Sequence, residues 1–280
     1  MRSSARENER MLGERSRGRS LVRMMKKMVS VVRGEPEINP APLIVLGNQK
    51  SGTSAIAHLL ADYAGLSKTI DIPELWWPTL ARLLRGEMHL SDLARRYPHR
   101  FAAQLIKEPN LTFFYDDVKT VHPMASFVFV VRDPRDNIRS LLNRLSLPGN
   151  LTAYSIAEHR LEPAWAVIFD APLWGWDEVQ HYIDVLAIRW NRAVDVYREH
   201  ADEMVLVRYE EFIADKMGTI EHLAERLGLP QVNDITDRLD IPYQPRGERD
   251  VPWEAFFGRE NLARIERLCR ERMAALGYSM

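Results

Sequence analysis

The chain has one cysteine, Cys269, in 280 residues. An internal disulfide framework is excluded, and a reducing compartment suits the composition. No uninterrupted apolar stretch approaches the roughly 20 residues that span a bilayer. The eight histidines are scattered without paired ligand spacing, which argues against a structural zinc site. The continuous apolar core of a signal peptide is missing too, because Arg23, Lys26 and Lys27 interrupt the N-terminal run. A cytoplasmic protein is the expectation. Repeats and low-complexity tracts are absent, and the 46% hydrophobic share suits one large globular domain with small additions.

A net charge of −1 hides an asymmetry. Residues 1–33 hold ten Lys/Arg and three Asp/Glu, and the rest of the chain holds 28 against 36. The basic segment could make peripheral contact with an acidic membrane or touch nucleic acid. A solvated, partly helical extension is the favoured reading, with no nucleic-acid partner and no transmembrane segment. Three prolines between Glu35 and Pro42 mark a linker. The chain therefore divides into an extension with its linker, residues 1–40, and a domain over residues 41–280.

The domain is organised around residues 43–63. Leu43-Ile44-Val45-Leu46 is long enough for a buried strand and carries no charge. A polar loop follows, Gly47-Asn48-Gln49-Lys50-Ser51-Gly52-Thr53-Ser54. Ala55, Ile56, Leu59, Leu60 and Tyr63 then fall on one helical face. Strand, loop and helix in that order make an anion site, because a helix start offers unpaired N–H groups and a partial positive charge. The two glycines let the backbone approach, and the hydroxyls of Ser51, Thr53 and Ser54 add donors. Their spacing matches the P-loop pattern G-x4-G-K-S/T except that Thr53 stands in the lysine slot. The loop's lysine is Lys50, at its crest. The site suits a phosphate but departs from nucleotide triphosphate chemistry, which uses the missing lysine beside magnesium.

Lys50-Ser51-Gly52-Thr53-Ser54 after an apolar strand resembles the 5′-phosphosulfate loop of sulfotransferases, which draw sulfuryl groups from 3′-phosphoadenosine 5′-phosphosulfate. A second stretch adds to the resemblance. Ser126 to Val131 reads as a buried strand of β-branched and aromatic residues. Asp133 follows as an N-cap, Pro134 as the first helical residue, and Ile138, Leu141, Leu142 and Leu145 mark a buried face. Arg132 at the strand end and Ser140 eight residues on match the family's 3′-phosphate signature, about 80 residues beyond the loop. Forked charged donors and a short hydroxyl can share one phosphate.

The resemblance implies further roles. A glutamate about twenty residues beyond the loop is often the family's catalytic base, which makes Glu74 the candidate and Asp71 the reserve. A lysine followed by x-Pro often faces the transferring group; Lys107, before Glu108 and Pro109, fits. Tyr209, in Arg208-Tyr209-Glu210-Glu211 after the apolar run 204–207, is a weaker candidate near the 3′-phosphate. Arg246, Gly247 and Arg249 lie in a late polar loop without a tight match. Residues 146–182, rich in tryptophan and proline, read either as an aromatic lid over the acceptor or as a satellite hydrophobic cluster. Trp76 and Trp77 either line an acceptor pocket or pack.

The expected fold class is α/β, a mostly parallel sheet with helices on both faces and the P-loop at the strand ends. The expected reaction is sulfuryl transfer to a hydroxyl, less often an amine, of a small molecule, lipid or glycan. Glu74, Lys107 and Lys50 would be catalytic; Lys50, Ser51, Gly52, Thr53, Ser54, Arg132, Ser140 and Tyr209 would bind the donor, with no metal. Two rivals are a P-loop small-molecule kinase, which needs magnesium and a lysine beside Thr53, and a non-catalytic nucleotide-binding module.

Overall fold

The computed structural model describes residues 36–152, 159–243 and 250–279. Spatial proximity divides the chain into Met1–Glu37 and Ile38–Met280. Of the first unit, Pro36 and Glu37 are described and exposed. The basic extension and the Arg246–Arg249 loop lie outside the described residues.

Within the second unit, five strands form one parallel sheet: β1 (Leu43–Leu46), β2 (Lys68–Ile70), β3 (Leu105–Lys107), β4 (Ser126–Val131) and β5 (Met204–Arg208). Their order is β2-β3-β1-β4-β5. The helices are α1 (Thr53–Tyr63), α2 (Thr79–Leu84), α3 (Leu90–Arg96), α4 (Tyr115–Val121), α5 (Pro134–Arg144), α6 (Pro163–Ala166), α7 (Tyr182–Glu199), α8 (Tyr209–Ala214), α9 (Lys216–Arg226) and α10 (Trp253–Ala275). No helix among the described residues is long and apolar enough to cross a membrane.

The absence of charge in β1 follows from its place at the centre, covered on both faces. Ile44 and Leu46 enter a core with α5, α7 and α10. Leu43 and Val45 enter a second core with α1 and α9. Alternate strand side chains feed opposite faces, so a four-residue apolar run builds two cores. β4 repeats this, with Phe127, Phe129 and Val131 on the first face and Val128 and Val130 on the second.

From β1 the chain crosses to β2 and β3 on one side and then to β4 and β5 on the other. Such a reversal leaves a crevice at the carboxyl ends of the central strands. Register sets what meets there: Val45 pairs with Lys107, Ile70 with Lys107, and Leu46 with Phe129.

Two elements differ from the sequence pattern. β2 has no apolar run because it is a half-buried edge strand, Lys-Thr-Ile. The final helix runs from Trp253 to Ala275 with a break at Gly258 (φ 69°, ψ 164°) that separates its first turn from the rest, an interruption that no helical periodicity announces. Glycine reaches that left-handed φ without a Cβ clash.

Candidate active site

The loop after β1 is shaped by backbone conformations that few residues accept. Gly47 has φ 140°, and a Cβ there would lie 2.3 Å from the Val130 carbonyl oxygen. Gly52 has φ 98°, and a Cβ there would lie 2.3 Å from Cδ2 of Tyr209. Between them Lys50 holds φ 69° without being glycine, a conformation that costs of order 1–3 kcal/mol and persists where surroundings enforce it.

Those surroundings are polar and buried. Asn137 of α5 donates Nδ2 to the Gln49 carbonyl (2.9 Å) and to Ser51 Oγ (2.9 Å), and accepts from Asn48 Nδ2 (3.0 Å). The Gly47 N–H donates to Thr112 Oγ1 at 2.9 Å. Gly52 caps α1 with no side-chain hydrogen bond. The first bond of the helix runs from Ile56 N–H to the Gly52 carbonyl, 3.2 Å. The first turn of α1, with Thr53, Ser54 and Ala55 lining the cleft, therefore turns the positive end of its dipole toward it.

A cleft of 350 Å³ opens at this point, and Lys50, Gly52, Thr53, Ser54, Arg132 and Ser140 line it. Lys107 and Tyr209 line it too. Ser51 is buried beneath the loop. Arg132 donates from Nη1 to the Lys50 carbonyl at 3.3 Å, and its guanidinium lies 4.6 Å from the Tyr209 ring centre. Trp190 of α7 donates Nε1 to the Arg132 carbonyl (2.9 Å), fixing the strand end from behind. Lys50 and Arg132, from the two stretches expected to bind phosphate and 82 positions apart, thus touch directly.

The candidate bases sit differently. Asp71, at the end of β2 with φ 62°, lines the cleft and pairs with Lys107 Nζ at 2.5 Å. The Asp71 N–H also donates to the Lys107 carbonyl, 2.8 Å. Lys107 keeps only 3% of its side chain exposed. Glu74, the expected base, is not among the residues lining the cleft. The Pro73–Leu75 turn delivers its Oε1 to Arg100, which donates from Nε (3.1 Å) and Nη2 (2.9 Å). Burial would raise its pKa, but the Arg100 bonds outweigh that and hold the carboxyl below its ordinary value.

Several contributing residues gave no sequence signal. Glu108 is 1% exposed, and burial raises its pKa against the pull of its donors. Its Oε2 accepts from the Ile72 N–H and Trp76 Nε1, both 3.0 Å, and its Oε1 from the Asn110 N–H, 3.0 Å. Trp76 is held by its nitrogen while 37% of the residue stays exposed at the cleft. The aromatic stretch after residue 160 divides its work. Trp165 and Ile168 line the cleft, and Val167, Ile168 and Phe169 join the core. Tyr243 lines the cleft and stacks on His58, with ring centres 4.6 Å apart. Among the described residues no group of three or more His, Cys, Asp or Glu could hold a metal ion.

Comparison with known proteins bears on the family and the fold. No curated protein matches the sequence. Among solved structures, sulfotransferase STF9 from Mycobacterium avium superposes with a TM-score of 0.52 at 12% identity, covering 92% of this chain and 81% of that one. At that identity the likeness concerns the fold. Mouse sulfotransferase SULT7A1, solved with PAP, gives a TM-score of 0.49 at 14% identity over 85% of this chain and 86% of that one. The family model described as the sulfotransferase family matches residues 89–234, just over half the length. On that match, the chain belongs to the sulfotransferase family.

Proposed function

We propose that the protein transfers a sulfuryl group from 3′-phosphoadenosine 5′-phosphosulfate to a hydroxyl, less readily an amine, of a small molecule, lipid or glycan. The observation that carries this reading is the convergence of Lys50, Lys107, Arg132 and the N-terminal turn of α1 on one cleft.

The donor's 5′-phosphate suits the amides of residues 52–54 and the hydroxyls of Thr53 and Ser54, with Ser51 supporting the loop from below. Its 3′-phosphate suits Arg132 and Ser140, with Tyr209 packed against the arginine. The fit is one of donors to acceptors: the cleft offers N–H, O–H and cationic groups where the donor offers anionic oxygens. The acceptor oxygen would attack sulfur as the bond from sulfur to the 5′-phosphate oxygen breaks. Its proton would pass to a carboxylate, and 3′-phosphoadenosine 5′-phosphate would leave. Catalysis of this kind is positioning plus stabilisation of developing charge, which two lysines on a rigid sheet edge can supply.

For the base, Asp71 is the better-placed carboxylate: it lines the cleft beside Lys107, while Glu74 is engaged by Arg100. Both oxygens of Glu108 are occupied by N–H donors, which suits an anchor for Trp76. The test is turnover of the donor in the presence of a metal chelator, over a panel of phenolic, steroidal and sugar hydroxyls. Release of 3′-phosphoadenosine 5′-phosphate with a matching sulfated product supports the reading; no product with any acceptor, beside a tightly bound donor, returns the protein to a non-catalytic role.

A further inference from the structure

Arg189 of α7 is fully buried and forms no ion pair among the described residues. Its Nε (3.2 Å) and Nη2 (2.9 Å) donate to Oε1 of Gln49, and Nη2 also donates to Oδ1 of Asn110 (3.1 Å). The rings of Phe113 and Trp174 each lie 4.2 Å from its guanidinium, and Nη1 has no hydrogen-bond partner. Burial pulls its pKa down to about 9, against the charge of Glu108, which raises it. A cation so placed carries a desolvation cost that an apolar side chain of similar volume would avoid. Packing alone does not call for an arginine here.

Its partners say what it does. Gln49 precedes Lys50, whose left-handed backbone needs support from its surroundings. Both ends of the Gln49 amide are used: Oε1 accepts from Arg189, and Nε2 donates to Asn110 Oδ1 at 2.8 Å. Asn110 stands three positions after Lys107, with its N–H on Glu108. Arg189 thus reaches the loop that carries Lys50 and the turn that follows Lys107 through one guanidinium. On its aromatic side, Trp174 donates Nε1 to the Val167 carbonyl (2.8 Å), in the segment that puts Trp165 and Ile168 into the cleft.

We propose that Arg189 is a positioning residue that clamps Gln49 to Asn110 and so holds Lys50 and Lys107 at a fixed separation beside the aromatic wall. The clamp is independent of which donor binds; that it brackets a sulfuryl group rests on the function proposed above.

The experiment is a double-mutant cycle read by calorimetric titration with 3′-phosphoadenosine 5′-phosphate, using Arg189→Met, Arg189→Lys, Gln49→Ala and the Met/Ala and Lys/Ala doubles. Arg189→Met keeps the volume and removes the donors. It should weaken binding by about tenfold or more, and Arg189→Lys, which keeps a cation, should recover part of the loss. The double variant should bind no worse than its weaker single, because both changes break one contact. Binding by folded Arg189→Met within twofold of wild type would overturn the proposal, and so would losses that multiply. If Arg189→Met fails to fold, the cycle with Arg189→Lys gives the same judgement. If the wild type does not bind the nucleotide, the donor reading fails on its own. The clamp is then judged by amide hydrogen exchange at residues 48–52, where Arg189→Lys should exchange at least about tenfold faster; unchanged exchange would overturn it.

Discussion

The loop from Gly47 to Ser54 and the wall made by Asp71, Trp76 and Trp165 face one cleft but are held in different ways. The loop is eight consecutive residues whose path is set by left-handed backbone at Lys50 and Gly52 and by buried amides beneath it. The wall gathers residues from two segments far apart in the chain, each side chain fixed by a different partner: Asp71 by Lys107, Trp76 by Glu108, Trp165 by the helical turn it sits in. A contiguous, backbone-defined site tolerates little change in sequence. In the wall, Trp76 and Trp165 have separate holds and can be altered one at a time. In a transferase the first arrangement suits a constant donor and the second a particular acceptor.

The largest effect is expected in the wall, where Asp71 pairs with Lys107. Asp71→Asn should lower turnover by roughly 10²–10⁴-fold, the range for losing a general base. Glu74→Gln should change it less than about threefold on the same comparison. Steady-state rates of the two variants side by side decide this, and the reverse order would restore Glu74 as the base.

Next comes Lys107→Ala. Removal of this buried cation should lower turnover by roughly 10²–10³-fold, the scale for losing one preorganised charge donor. Because Asp71 loses its partner at the same time, the double variant with Asp71→Asn should show far less than the product of the two losses. Multiplying losses would mean the pair acts separately.

The smallest effect concerns the support behind the wall. His122 donates Nδ1–H to the Asn39 carbonyl (2.6 Å) and stacks on Phe101, the neighbour of the arginine that holds Glu74. Burial lowers its pKa below the ordinary 6.5, against the Asn39 bond, which raises it. The unfolded chain therefore takes up a proton there that the folded chain refuses. Stability from this residue is complete above about pH 6.5 and is lost as the pH falls below it, with a slope of at most about 1.4 kcal/mol per pH unit. Denaturant melts between pH 5 and 8 should show a shallower acid decline for His122→Gln; parallel curves would remove His122 as a cause.

Legibility in the sequence followed the same division. The strand–loop–helix of residues 43–63 and the Arg132-Asp133-Pro134 strand end are local patterns, and their apolar alternation and punctuation carry them. Glu108, Asn137 and Arg189 gave no signal because their roles arise from contacts 32 to 140 positions away in the chain. β2 was silent because an edge strand three residues long needs no apolar run. Spacing from the loop pointed to Glu74 first, with Asp71 in reserve. It is the pairing of Ile70 with Lys107 that sets Asp71 beside the lysine, and a sequence does not display which strands are neighbours.

The most direct test of the central claim is calorimetric titration with 3′-phosphoadenosine 5′-phosphate in chelator, against ATP with magnesium. Micromolar binding of the bisphosphate, weakened by roughly 10–100-fold in Arg132→Ala and not matched by ATP, is the expected result. No binding, or a preference for ATP with magnesium, would contradict the account.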